Sequence, residues 1–212
     1  MSSLGISSRG RSMIKVRKLR ADEFAAAGEV LSRGMRDNPL HIQAFGRAVE
    51  ARIEGLKRMF SIVLQRLELK GILLGAFKEG ELVGVAGMVR PRNCRPTKIE
   101  SLSMLPRMLF SVGVRPLGRV GEWMTEWKKH DLKEEHWHLG PVAVDAHLQG
   151  TGIGSALMTE YCAQIDQTHG VGYLETDKEA NVRFYEKFGF QIIAQSTVLD
   201  IPNWFMRRPG RP

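Results

Sequence analysis

Apolar residues recur along this chain with two different periods, and each change of period marks an element. From Asp22 to about Met35, and again from Gln43 to Leu67, they fall at helical spacing. Phe45, Val49, Ile53, Leu56, Met59, Phe60 and Val63 form the stronger stripe, and Asn38-Pro39 marks the predicted break between the two helices. Ahead of them, the alternation over Ile14 to Leu19 predicts a first strand, with Asp22 as a helix cap. Ile72 to Phe77 and Leu82 to Val89 are short apolar runs joined by Lys78-Glu79-Gly80-Glu81, a hairpin signal in which Gly80 supplies the positive φ. A Pro/Arg-rich connector from Pro91 to Thr97 leads into two apolar stretches, Leu102 to Leu117 and Val120 to Leu132. Both are expected as helices limited by Pro106 and Pro116.

The period returns to two over His136 to Val144, with a disturbance at Gly140-Pro141. Proline has no ladder donor, so this pair predicts a bulge or an unpaired edge. Alternation sets His136, His138, Gly140, Val142 and Val144 on one face until the bulge shifts the register. A glycine-rich turn follows, then a helix over Ile153 to Ile165 and a strand over Val171 to Glu175. A helix over Ala180 to Phe188 closes at Gly189, and strands follow over Phe190 to Leu199 and Trp204 to Arg207. The pattern is mixed α+β. It predicts one domain over residues 13–212 behind a Ser/Gly/Arg-rich leader, 1–12, expected to be disordered.

Composition narrows the class. With 212 residues, 43% apolar and 25% charged, the chain resembles ordinary soluble globular proteins and can bury a sizeable core. No apolar run approaches a membrane span and the leader lacks a secretory apolar core, so a cytoplasmic protein without a membrane partner is expected. Cys94 and Cys162 are too few and too far apart for a disulfide framework and read as idle thiols in a reducing compartment. No spacing among His130, His136 and His138 matches a fixed ligand set, so no metal is expected. The net charge of +8 favours an anionic partner. Aromatic residues do not alternate with the basic ones as a nucleic-acid groove requires, which favours a polyanionic cofactor over nucleic acid.

The turn Gln149-Gly150-Thr151-Gly152-Ile153-Gly154 lies between a strand and a helix, an arrangement that offers free amides and a favourable dipole to phosphate. A Walker loop needs Lys-Ser/Thr at its end, and Gly154-Ser155-Ala156 excludes it. A dinucleotide fingerprint needs its third glycine three residues after the second, so positions 150, 152 and 154 fit poorly. On the glycines alone, a turn without any ligand stays open.

Two longer segments carry a resemblance. Val142-Ala-Val-Asp-Ala-His-Leu-Gln-Gly-Thr-Gly-Ile-Gly-Ser-Ala-Leu-Met158 resembles the central motif of the GCN5-related N-acetyltransferases, the GNAT superfamily. Glu179-Ala-Asn-Val-Arg-Phe-Tyr-Glu-Lys-Phe-Gly-Phe190 is similar to that family's Asn/Tyr/Gly-Phe segment. A further likeness, in Leu174-Glu-Thr176 and the Trp-containing tail, is to the puromycin N-acetyltransferase group and inclines the reading to a small-molecule amine. The resemblance implies a central mixed sheet of about six or seven strands flanked by helices, splayed between strands 136–144 and 171–175. It implies acetyl-CoA as co-substrate, with a homodimer as an assembly open to the chain.

The resemblance also assigns roles. The backbone of Gly150 to Gly154, with Gln149 and Ser155, would hold the CoA pyrophosphate, and Val142, Ala143 and Val144 would pair with the pantetheine arm. Asn181 would hydrogen-bond the cofactor, and Tyr185 would protonate the departing thiolate; packing between Phe184 and Phe188 is its alternative. His138 stands where family members place the amine's base, a role imidazole suits. His136, Glu122 and Glu175 are assigned to the acceptor, with Glu122, Glu126 and Glu175 competing for the base. Met104, Met108, Phe110, Trp123, Met124 and Trp127 line an acceptor pocket or serve as core. A protein or peptide N-acetyltransferase, and a non-catalytic CoA-binding module, are the alternatives.

Overall fold

The computed structural model describes residues 13–211, so the expected leader lies outside the described residues. The chain runs β1 (Ile14–Lys18), α1 (Phe24–Met35), α2 (Pro39–Phe45), α3 (Val49–Lys70), β2 (Gly71–Lys78), β3 (Glu81–Val89), α4 (Lys98–Val112) and α5 (Val114–His130). It continues with β4 (His136–Val144), α6 (Ile153–Asp166), β5 (Val171–Thr176), α7 (Glu179–Glu186), β6 (Gln191–Val198) and β7 (Ile201–Arg208). The strands form one seven-stranded sheet in the order β1-β2-β3-β4-β5-β7-β6. All neighbours are antiparallel except β4 and β5.

Alternation along the strands divides the core between the two faces. On one face, Ile72, Leu74, Trp137, Leu139 and Leu174 meet Ile153, Leu157, Met158, Tyr161 and Ile165 of α6 and Val182 and Tyr185 of α7. On the other, Leu73, Val85 and Val89 meet Ala27, Val30 and Leu31 of α1, the stripe of α3, and Val120 and Trp123 of α5. The Tyr161 hydroxyl donates to the Trp137 carbonyl at 3.1 Å, pinning α6 to β4 inside the core. A satisfied buried hydrogen bond of this kind contributes about 1 kcal/mol, and an unsatisfied one costs more.

Three boundaries differ from the periodicity. The run from Gln43 to Leu67 is two helices, because Gly46 takes φ 94° and ends α2; Pro39 sits at the first turn of α2, where its missing N–H costs nothing. Pro106 lies inside α4 instead of ending it, and the break falls at Gly113, φ 83°. Thr97 starts α4 with a reciprocal capping box to Glu100, which anchors the helix on the N-terminal side of the proline. The last strand is longer than its apolar core, extends over Ile201–Arg208, and inserts between β5 and β6.

The bulge expected at Gly140-Pro141 is present. Between the pairs Ala86↔Val142 and Met88↔Leu139, β4 carries one residue more than β3. The extra residue reverses the side-chain alternation: Trp137 and Leu139 face α6 before it, and Val142 and Val144 face α6 after it. His136 and His138 therefore lie on the opposite face from Val142 and Val144. Gly87 lets β3 approach this bulge, since a Cβ there would stand 3.0 Å from the Gly140 carbonyl and 2.8 Å from Leu67. Among the described residues, no helix is long and apolar enough to cross a membrane.

Candidate active site

The glycine turn is shaped by backbone conformation. Gly150 and Gly152 take φ 79° and 93°, values at which a side chain would be strained. Gly152 caps α6 without any side-chain bond, and the first helical hydrogen bond runs from Ala156 N to Gly152 O. The amides of Ile153, Gly154 and Ser155 thus have no partner within the helix and mark its positive end. Gly154 differs from its neighbours: a Cβ there would meet Phe184 at 3.5 Å and Val144 at 3.8 Å, ordinary contacts. The Thr151 hydroxyl donates to Leu148 O at 2.7 Å. Gln149 points its amide inward, donating to the carbonyls of Gly34 and Val144 at 3.2 Å each, so its side chain ties the turn to α1 and β4. Arg33 on Asp145, at 2.7 Å, makes a second tie.

Beside this turn the sheet opens. β4 pairs with β5 only from His136↔Val171 to His138↔Tyr173, and then the two strands part. The edge of β4 through Val142, Ala143 and Val144 is paired with β3 on one side and unpaired towards β5 on the other. Asn181 and Tyr185 of α7 belong to this region. Asn181 donates its side-chain amide to Thr176 Oγ1 at 3.2 Å. Tyr185 is buried, its ring 5.3 Å from that of Phe184 and 6.1 Å from that of Phe190. Burial, then the charge of Asp177, pushes its phenol well above the ordinary range, so it keeps its proton at neutral pH.

On the opposite face, the start of β4 carries a cluster of ionisable groups. His138 Nε2 lies 2.7 Å from Glu175 Oε2, whose side chain is 3% exposed. Burial works against charge on His138, but Glu175 and the neighbouring Cys94 outweigh it and raise the imidazole to about 10. His136 bonds the Glu134 carbonyl through Nδ1 at 2.9 Å and faces Asp131 Oδ1 through Nε2 at 3.1 Å. The second contact has ion-pair distance without hydrogen-bond alignment, and neither atom has another partner among the described residues. Burial again opposes the charge, and Asp131 and Cys94 raise His136 to about 9. Burial raises the Asp131 carboxyl, but the facing His136 and the hydrogen bond from Arg95 at 2.6 Å hold it down at about 2. Cys94 opposes its own burial by the same neighbours, His136 and His138, and falls to about 7. Tyr173 stacks edge-on against both imidazoles, with ring centroids 5.2 Å away, and donates its hydroxyl to His130 O.

His136, His138 and Glu175 are thus gathered, while Glu122 is exposed on α5 with no hydrogen bond or ion pair to them. Glu126 is engaged by Lys129, His130 and Ser196. The aromatic and methionine residues of α4 and α5 divide: Trp123, Trp127 and Met108 join the core, whereas Phe110 and Met124 are exposed. Sequence reasoning missed Cys94 and Asp131. Cys94 stands 42 residues before His136, and no spacing connects them.

The model of the acetyltransferase (GNAT) family matches residues 48–190, more than half the chain. The solved structure of a histone acetyltransferase HPA2 and related acetyltransferase from Corynebacterium glutamicum is similar over 94% of this chain and 97% of its own, with 22% identity and a TM-score of 0.72. A GNAT family acetyltransferase from Brucella melitensis, solved with acetyl-CoA, is similar over 95% and 90%, at 18% identity and a TM-score of 0.55. The ribosomal-protein-S18-alanine N-acetyltransferase of Escherichia coli is similar over 94% and 96%, at 13% identity and a TM-score of 0.56. With its family motifs on the glycine turn and α7, and its sheet parted between β4 and β5, this chain belongs to the GNAT family of acetyltransferases.

Proposed function

We propose that the protein transfers the acetyl group of acetyl-CoA directly to a primary amine of a small molecule within a ternary complex. The observation that carries this reading is the parting of β4 from β5 after His138, with free helix amides on one side of the opening and the His138–Glu175 pair on the other. When bound, acetyl-CoA supplies the acyl carbon and a thiolate leaving group. The amides of Ile153 to Ser155 suit its pyrophosphate, and the unpaired edge at Val142 to Val144 suits its amide-bearing arm. A main-chain amide near Val142 would stabilise the developing oxyanion. Tyr185, which keeps its proton at neutral pH, donates it to the sulfur.

The expected base, His138, is paired with Glu175 at 2.7 Å. Glu175 and Cys94 raise the His138 imidazole against its burial, which favours its protonated form and disfavours it as the base. We assign amine capture and proton acceptance to the Glu175 carboxylate, with His138 positioning it. Residues 13–212 act as one catalytic domain in this reading, in a cytoplasm that keeps the free thiols Cys94 and Cys162 reduced. The exposed apolar side chains of Ile99, Leu102 and Phe110 on α4 support self-association as a homodimer.

Thiol release from acetyl-CoA, measured against a panel of small amines and a panel of peptides, tests the reading. Turnover with small amines, lowered about 100-fold or more by Tyr185→Phe, is expected. Turnover confined to peptides would move the protein to the class named by its Escherichia coli structural neighbour. Acetyl-CoA binding without turnover on either panel would make it a CoA-binding module.

A further inference from the structure

Cys94, His136 and His138 each place a donor atom within 4.8 Å of the others. The hydrogen bonds around them determine which atoms are left over. His136 uses Nδ1 on the Glu134 carbonyl, which leaves Nε2; that atom is buried and has no hydrogen-bond partner among the described residues. His138 uses Nε2 on Glu175, which leaves Nδ1. An imidazole that donates one ring N–H to a carbonyl or carboxylate, and turns the other nitrogen towards a shared point, is arranged as metal-bound histidines are. Beside His136 Nε2 stands Asp131 Oδ1, likewise buried and without a hydrogen bond.

We propose that this cluster is a site for a divalent cation of the zinc class, held by Cys94 Sγ, His136 Nε2 and His138 Nδ1, with solvent from the cleft in the fourth position and Asp131 Oδ1 beside His136 to balance the charge. The donor set decides the class. One thiolate with two imidazoles suits zinc or cobalt, and calcium and magnesium require oxygen ligands. Bonds of about 2.0 to 2.3 Å bring tetrahedral donors to roughly 3.5 Å apart, so the side chains must draw in by about an ångström. Cys94 can do so. It is only partly buried, lies in the loop between β3 and α4, and its thiol is held by nothing stronger than contacts to the carbonyls of His136 at 3.3 Å and Arg90 at 3.8 Å. A cleft lined by Cys94, Asp131, His136, Arg92 and Arg95 joins the cluster to the surface and gives the ion a way in. On binding, the thiol proton and any second ring protons of the two histidines leave to solvent.

The inference concerns binding and needs no acetyl-CoA, so it stands or falls apart from the reading of acyl transfer. The untagged full chain, stripped with a chelator, is titrated with Co(II) while its absorption is followed. One equivalent is expected to give intense visible bands of tetrahedral cobalt and a near-ultraviolet thiolate-to-cobalt band, both bleached by Zn(II). Cys94→Ser should remove the thiolate band, His136→Gln should lower the affinity more than about tenfold, and Glu175→Gln, one bond further out, about 10- to 100-fold. Cys162→Ser should leave every signal unchanged. Circular dichroism and thermal melting establish that each variant is folded. Absence of the thiolate band in the folded wild-type chain, or its survival in Cys94→Ser, would overturn the proposal.

Discussion

The two sides of the opening between β4 and β5 are made of different material. The α6 side is built from main chain: amides at a helix start, a strand edge, and two glycines whose φ angles shape the turn. The other side is built from side chains that four separate segments deliver to one place: Cys94 from the loop after β3, Asp131 from the end of α5, His136 and His138 from β4, and Glu175 from β5. Main-chain groups cannot be mutated away, so the first side tolerates truncation and is blocked by added bulk. Side-chain groups compensate one another's charge, so the second side is sensitive to the loss of any one of them.

The largest expected effect follows from that sensitivity. Glu175→Gln keeps the shape but removes the carboxylate that faces His138, and kcat for amine acetylation should fall about 100- to 10,000-fold. The KM for acetyl-CoA should hardly change. A variant that retained its kcat would show that the two sides do not cooperate through Glu175.

The next effect concerns stability on the same face. His41 is buried against Phe60 and Trp123, with Nδ1 on the Met35 carbonyl, and burial lowers it to about 4 from an ordinary 6.5. Its folded pKa is depressed, so protonation favours the unfolded chain. Stability is fully present above pH 6.5 and declines as pH falls towards 4, by about 3 kcal/mol in all. Urea unfolding at pH 7 and pH 4 measures this, and His41→Phe should flatten that part of the decline.

On the main-chain side, Gly154→Glu adds bulk and a negative charge where the bare fold leaves room for a Cβ. Acetyl-CoA at about 100 times its Kd stabilises the wild type by about 2.7 kcal/mol, and the variant should lose that thermal shift while folding normally without ligand. The smallest effect belongs to Gln149→Ala. Its two hydrogen bonds only tie the turn to Gly34 and Val144, so its loss should cost about 1 kcal/mol of stability and leave the acetyl-CoA shift in place.

The same contrast explains what the sequence revealed. The glycine turn and the Asn181/Tyr185 helix are each contiguous, and the backbone they need is written in glycines at fixed spacing; the parted sheet was legible from Gly140-Pro141. Glu175 lies 37 residues from its partner His138 and Cys94 lies 42 before His136, separations set only by how the strands align. Cys94 therefore looked idle, and the histidines lacked a third ligand. Glu122 has the right chemistry and approximate place in the chain, but the buried face of α5 is set by Val120 and Trp123, which leaves Glu122 in solvent. The break read at Asn38-Pro39 is present, whereas Gly113 determined a helix end that Pro106 suggested elsewhere and Gly46 divided the run after it, because a proline inside a helix costs one hydrogen bond whereas a glycine at positive φ turns the chain out of it.

Direct transfer across the opening is the central claim, and a rapid-mixing experiment tests it. The protein is loaded with acetyl-CoA and mixed with an accepted amine or with buffer, while free thiol and the intact mass of the chain are followed through one turnover. The account predicts thiol release only when amine is present, with the mass of the chain unchanged throughout. A burst of thiol without amine, accompanied by an acetylated chain, would contradict it.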